Sequence, residues 1–284
     1  MVAGNKMRTV LNIAVIEYKT LLKSTKMIIL GMFAIFINIQ IIMPLKNCAV
    51  LMNGKLSFLE PFTAIGNSGI VVLILPLFYL AMMADFPRED GIHRFYQIRC
   101  DKTVWVAGQM LFALMSSISL TVFVLVLSVI LIMPNGKWDY NFSDAVRNYA
   151  AAYPERSGDY VVRLLPENLY NQMTLYKAVI HTFCFLILYF LFLSLVLLLS
   201  ALLNKKMLGI LADGIIIAAG AIACASRMAF MWFLPMSHTI TWFHYTEYMR
   251  REIFPINGSY LYFAAINVCM VILCVLAGRR YQVF

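Results

Sequence analysis

This sequence is short of charge. Asp, Glu, Lys and Arg make up 13% of its 284 residues, about half the share usual in a soluble domain, and that scarcity excludes an ordinary water-soluble globule. Nucleotide-binding machinery is missing too. No GxxxxGK(S/T) stretch is present, so nothing in the chain is built to cradle a triphosphate. Asn135-Gly136-Lys137 lacks both the loop and the following hydroxyl. There is no GxSxG, no HExxH and no pair of acids within one apolar run, which argues against an intramembrane hydrolase. Six cysteines occur at 48, 100, 184, 224, 269 and 274 with no CxxC among them, so neither a disulfide framework nor a zinc ribbon is implied. No linker, low-complexity tract or repeat divides the chain, and residues 1–284 read as a single domain.

What the chain has is apolar length. Hydrophobic residues make up 62% and the mean hydropathy is +0.80. A helix needs about 20 mostly apolar residues to cross a bilayer. Six runs qualify: Met27–Leu45, Ser68–Ala84, Val104–Met133, Thr174–Leu203, Met207–Ser226 and Tyr260–Ala277. The fold class expected is therefore an all-α integral membrane protein with six transmembrane helices.

The basic residues set its orientation, because Lys and Arg concentrate on the cytoplasmic side. Lys6, Arg8, Lys19, Lys23 and Lys26 precede the first run. Arg88, Arg94, Arg99 and Lys102 lie between the second and third, Lys205 and Lys206 between the fourth and fifth, and Arg279 and Arg280 after the sixth. With six spans all four stretches share one side, so both termini are expected in the cytoplasm. The connections 134–173 and 227–259 then face outward. The net charge of +9 reads as attraction to anionic lipid, and no nucleic-acid partner is expected.

Residues 5–25 carry a helical stripe. Met7, Val10, Leu11, Ala14, Val15, Tyr18, Leu21 and Leu22 recur at steps of three and four, with Lys6, Arg8, Asn12, Lys19 and Lys23 mostly elsewhere on the wheel and Ile13 and Ile16 blurring the polar face. This pattern predicts an amphipathic helix lying in the cytoplasmic interface. Residues 85–102, DFPREDGIHRFYQIRCDK, form the densest charge cluster in the chain. Pro87 suits a first helical position, and Glu89 and Asp90 suit a helix start. Ile92, Phe95 and Tyr96 fall on one face among His93, Arg94 and Arg99. A short surface helix between two spans is predicted, able to lie in headgroups or to fill a groove on a soluble protein.

Taken together, a basic interfacial helix, six spans with both ends inside, and a charged helical connection after the second span resemble the type-2 permeases of ATP-binding cassette exporters. In that family the first helix is the connecting or elbow helix, and the connection after the second span is a coupling helix that docks on the ATPase subunit. Glu89 and Gly91 stand at two of the family's usual positions there. Ala107-Gly108-Gln109 stands where a Gly-Lys pair commonly enters the third span, so the lysine is absent. The resemblance implies one transmembrane permease domain in a bacterial cytoplasmic membrane, paired with a second permease subunit, identical or related. It implies a separate ATPase that holds ATP and Mg, with no cofactor on this chain. It implies export of a hydrophobic or amphipathic substrate such as a peptide antibiotic, a lipid-like compound or a drug. ATPase coupling would fall to Arg88, Glu89, Gly91, Ile92, Arg94, Phe95, Tyr96 and Arg99. The alternatives are a membrane-embedded enzyme and an ATPase-linked sensor or scaffold that transports nothing.

Other residues stand out singly. Asp213 is the only acid well inside an apolar run, where an unpaired charge costs a few kcal/mol; it reads either as part of a translocation path or as the partner of Lys205 or Lys206. Asn38 and Gln109 are further candidates for the path or a gate, and Ser116, Ser117, Ser119 and His181 for hydrogen bonds between helices. Gly209, Ala212, Gly214, Ala218 and Gly220 give the fifth run small faces, suited to packing within the chain or to a dimer seam. Ser143 is a candidate cap for a short helix from Asp144 in a folded outer lid. His238, His244 and Glu247 match no familiar zinc spacing, and the aromatic stretch around them suits a membrane interface. In the resembled family that stretch forms short re-entrant helices near the outer gate.

Overall fold

The computed structural model describes residues 2–88, 100–246 and 251–280. The chain folds as an all-α, multi-pass membrane protein. Five helices are long and apolar enough to cross a bilayer, and one bent helix pair makes up to six.

Helix α1 (Val2–Leu22) leads through a short turn into α2 (Met27–Leu51). α2 runs six residues past the Leu45 end expected from sequence because the lid supports it: Cys48 and Ala49 are buried and the Cys48 thiol donates to the carbonyl of Ala145 at 3.4 Å. Within α2, Asn38–Ile42 widens into a π turn, closed by Met43 N–H donating to the carbonyl of Asn38. The widened turn lies just ahead of Pro44, which has no N–H to give and whose ring would strike the carbonyl one turn earlier. Asn53, at φ 48°, takes the left-handed conformation that stops the helix, and Gly54 N–H bonds back to Ala49.

The second apolar run differs from expectation. Before α4 (Gly69–Met83) stands a separate helix, α3 (Glu60–Asn67), whose eight residues are all buried and which is bent 83° from α4. The break falls at Ser68, whose backbone is extended. α5 (Lys102–Ile132), α6 (Leu175–Leu202), α7 (Lys206–Ala225) and α8 (Ile256–Arg280) complete the long helices. α6 is the hub, packed on α5, α7 and α8. Its apolar window is 61% buried against 22–39% in the other four, so the other four turn most of that surface away from the bundle.

The loop between α5 and α6 is a folded lid of four single-turn helices, Asp144–Arg147, Tyr149–Ala152, Tyr160–Leu164 and Glu167–Tyr170. The Ser143 side chain caps the first, accepting from Val146 N–H at 3.4 Å. A two-residue parallel ladder, β1 (Leu56–Ser57) with β2 (Gly136–Lys137), ties the lid to the loop after α2. After α7 the chain makes three short turns, Ala229–Phe233, Pro235–Thr239 and Thr241–His244, before α8.

α1 does not turn its whole apolar stripe inward. Ile13, Ala14, Glu17 and Leu21 are buried, while Met7, Leu11, Val15 and Leu22 are exposed. Lys6 pairs with Asp101 at 3.5 Å and Tyr18 donates to Ser119 at 2.7 Å, so α1 runs along the first half of α5. Gly108 permits this, since a Cβ there would meet Ile13 at 2.7 Å. The helix thus has three strips: one packed on α5, one apolar and open, and one bearing Arg8, Lys19 and Lys23.

Candidate functional site

The connection between α4 and α5 is anchored at both flanks. On the entry side Asp85 pairs with Lys26, at the start of α2, at 2.6 Å. The Lys206 ammonium, at the start of α7, donates to the carbonyls of Asp85 and Pro87 at 2.7 and 2.9 Å. Phe86 is buried and its ring packs on Phe112 of α5 at 5.2 Å. On the exit side the Asp101 carboxylate accepts from Thr103 N–H at 3.4 Å and meets Lys6 of α1. The Lys26 ammonium beside it holds the Asp85 carboxyl below the usual carboxylate range, and the Thr103 N–H does the same for Asp101. Arg88 is half-buried at the edge of this arrangement. Glu89, Gly91, Ile92, Arg94, Phe95, Tyr96 and Arg99 lie outside the described residues. The clamp therefore joins the flanks of the segment to the ends of α1, α2, α5 and α7.

The three path candidates do not gather. Asn38 is half-buried in the π turn of α2. Gln109 faces α1, where its amide donates to the Glu17 carboxylate at 2.9 Å in a buried contact. Asp213 is wholly buried in α7 and its carboxylate makes no hydrogen bond among the described residues. The pairing of Asp213 with a lysine does not form, because Lys206 turns to Asp85 and Pro87 and Lys205 is exposed. Asp213 lies instead within electrostatic reach of the Tyr79 and Tyr189 hydroxyls. The small residues of α7 divide between two faces. A Cβ at Gly209 or Gly220 would strike Ser200 or Met236, whereas Gly214 has open space around it. Gly214 and Ala218 therefore belong to an outward strip with the exposed Met207, Leu211, Ile215 and Ile222.

Ser116 and Ser117, expected to bond between helices, do so, while the centres at Glu60, Asn67 and Ser259 escaped the sequence reading. Tyr79 of α4 joins Ser116 and Ser117 of α5, both at 3.1 Å, and Ser194 of α6. Glu60, fully buried, accepts from Ser57 N–H at 2.9 Å, from Ser143 N–H, and from the Ser143 hydroxyl at 3.1 Å. Asn67, at the bend, donates to Thr63 O and Thr182 Oγ1 and accepts from the N–H and hydroxyl of Thr241, while its carbonyl takes the Trp242 indole N–H. His238 and His244 both meet the Ser259 hydroxyl. Among the described residues no three His, Cys, Asp or Glu side chains gather as metal ligands.

Two crevices open beside these centres. One, of about 810 Å³, lies between α4, α7 and the lid, with apolar walls that include Leu73, Ile222 and Met236 and with Arg163 and Arg227 on its lining. The other, of about 700 Å³, holds Trp232, Trp242, Arg227 and Arg251. The Arg227 guanidinium sits 5.8 Å from the Trp242 ring centre. Walls of this kind accept an apolar body with an acidic or polar head. Compared with protein-family models, with curated proteins and with solved structures, the chain matches none.

Proposed function

We propose that this chain is the transmembrane subunit of an ATP-binding cassette exporter of the type-2 permease kind. The observation that carries the reading is the double anchorage of the α4–α5 connection, whose two flanks grip the ends of α1, α2, α5 and α7. A permease driven by a soluble ATPase needs one surface segment whose displacement moves several spans together. A second permease subunit packs on the outward strip of α7. In this reading there are six spans, the bent pair α3–α4 counting as one, and both ends of the chain lie in the cytoplasm of a bacterial cell. The segment 89–99 then docks on the ATPase through Ile92, Phe95 and Tyr96, with Arg88, Glu89, Gly91, Arg94 and Arg99 around that contact. ATP and Mg belong to that partner. Its closure on ATP shifts the clamp, closes the inner side and opens the outer. The cargo is hydrophobic or amphipathic, and the Arg-lined apolar crevices near the lid suit a molecule with an acidic head. The outward apolar strip of α1, edged by Arg8, Lys19 and Lys23, suits a helix lying in the interface of a bilayer with anionic lipid.

The test is a mild-detergent pull-down of the tagged chain from its native membrane. A Walker-motif ATPase recovered in near-equal amount is the expected result, and Phe95→Ala with Tyr96→Ala should lose that ATPase while the chain stays inserted. No ATPase in several detergents overturns the reading. A substrate that stimulates ATP hydrolysis without crossing the membrane would instead point to a sensor.

A further inference from the structure

The turns between α7 and α8 bring two imidazoles onto one hydroxyl. His238 Nδ1 lies 2.7 Å from Ser259 Oγ, and His244 Nε2 lies 2.7 Å from the same oxygen. The far nitrogens are also engaged. His238 Nε2 is 2.8 Å from the carbonyl of Trp232, and His244 Nδ1 is 3.2 Å from the carbonyls of Ile240 and Thr241. All three side chains are fully buried.

Proton counting shows what this arrangement asks for. A carbonyl only accepts, so each far nitrogen needs its own N–H. The two contacts to Ser259 need two more protons, one from the hydroxyl and one from an imidazole. That makes four protons, and two neutral histidines with one serine supply three. In the neutral state one near nitrogen faces an oxygen lone pair with nothing between them, or one far nitrogen faces its carbonyls bare. One added proton satisfies every contact: an imidazolium donates to Ser259 Oγ, and Ser259 donates to the other imidazole. Both 2.7 Å separations fall in the range of charge-assisted bonds, about 2.7–2.9 Å.

We propose that His238, Ser259 and His244 form a site for one exchangeable proton, held between the two imidazoles through the serine hydroxyl.

The surroundings fit a delocalised cation with no carboxylate partner. The Tyr262 ring stacks on His238 at 4.0 Å, and Trp232 stands edge-on to both histidines at 5.4 and 5.2 Å. Phe254 packs on both, Phe185 lies parallel to His244 at 6.2 Å, and Phe263 faces His238. The face of Tyr262, stacked on His238, attracts a cation. The titratable groups that face the pair are His181, which is bonded to Tyr260 at 2.9 Å, and Tyr262, whose hydroxyl donates to Phe233 O. Glu252 and Arg251 lie at the exposed edge of the segment, and residues 247–250 are outside the described set. Two influences oppose the charge, burial and the α8 N-terminus where Ser259 sits, and repulsion between the two rings excludes a second proton. Burial above all holds His238 and His244 down to about 4, with a charge on His238 adding to the effect at His244. The shared bond through Ser259 acts the other way, so the pair takes up its single proton at a higher pH than either ring would alone. Once bound, that proton fastens the turns 229–244 to the first turn of α8.

The test is nitrogen NMR of the full chain in micelles with 15N-labelled imidazoles, titrated from pH 8 to 4, each of the four histidines being assigned from its His→Gln variant. The expected result is that His238 and His244 shift together in one step that amounts to a single proton for the pair. Ser259→Ala should lower that midpoint by at least one pH unit, a tenfold loss of proton affinity, and Ser259→Thr should restore it. Two independent steps, no protonation of either ring above about pH 4, or an unchanged midpoint in Ser259→Ala overturns the proposal. If Ser259→Ala does not fold, the wild-type step and the threonine variant decide.

Discussion

At one end of the bundle Lys26 meets Asp85 with the aspartate side chain 65% exposed, and Lys6 meets Asp101 with both side chains more than half exposed. At the other end Glu60, Asn67, His238, His244 and Ser259 show essentially no exposure and exchange hydrogen bonds across α3, α6, α8 and the lid. Both ends are polar, yet they are held by different means. Exposed ion pairs compete with water and give up little when they part. A buried donor or acceptor that loses its partner has no water to turn to, so it stays where it is. The basic end is therefore the end that can be moved cheaply, which suits a segment driven from outside. The lid end is the end that resists, which suits a frame for a gate.

Four substitutions would break or sharpen this contrast. The largest effect is expected at Asn67. Asn67→Leu strands the N–H and hydroxyl of Thr241 and removes the donor to Thr182, while the Trp242 indole keeps the backbone carbonyl of residue 67; it should cost about 3 kcal/mol, each buried unpaired group being worth about 1–3 kcal/mol. Thermal unfolding in micelles would show it, and a loss no larger than that of a surface mutation would remove the rigid end from the comparison. Glu60→Gln keeps the shape but presents an amide NH2 to donors. A loss of about 1–2 kcal/mol is expected, with protease cleavage in 134–173 rising first because Ser143 is released from the start of α3.

At the basic end Lys26→Met should cost less than about 1 kcal/mol at neutral pH. The sign of its pH dependence follows from the lowered Asp85 carboxyl: the pair contributes above the usual carboxylate range and is lost as pH falls through the Asp85 value. Wild type and variant should thus converge in acid, and a difference that persists there would place the effect in packing. The smallest change is expected from Asp213→Asn. Its carboxylate has no hydrogen bond among the described residues, so a neutral amide should leave the melting temperature unchanged or raise it. A loss above about 1 kcal/mol would mean that the carboxylate binds a cation, since removing one partner of a buried charge is costly.

Apolar periodicity alone located the long helices, because about 20 residues without charge have few places to go other than a bilayer. The lid cap at Ser143 was legible for a similar reason: a cap is a contact between residues three apart. The clamp around 85–102 was legible only as a charge cluster. That Asp85 meets Lys26 and that Lys206 reaches Pro87 depends on three helix ends arriving at one level, which no local pattern encodes. The stripe of α1 was read from its wheel as one apolar face, and α5 split it in two by burying Ala14 and Leu21 while leaving Leu11 and Val15 outside.

By itself the sequence determined the solvent this protein lives in, the number of long apolar runs and the placing of its charges. These follow from composition and from spacing along a single helix. The tertiary structure alone decided the bend at Ser68, the isolation of Asp213, the roles of Glu60 and Asn67, and the meeting of His238, Ser259 and His244. The distant partners of Glu60, Asn67 and Ser259 lie between 15 and 175 residues away in the chain. Their hydrogen bonds become strong only once packing has taken water away.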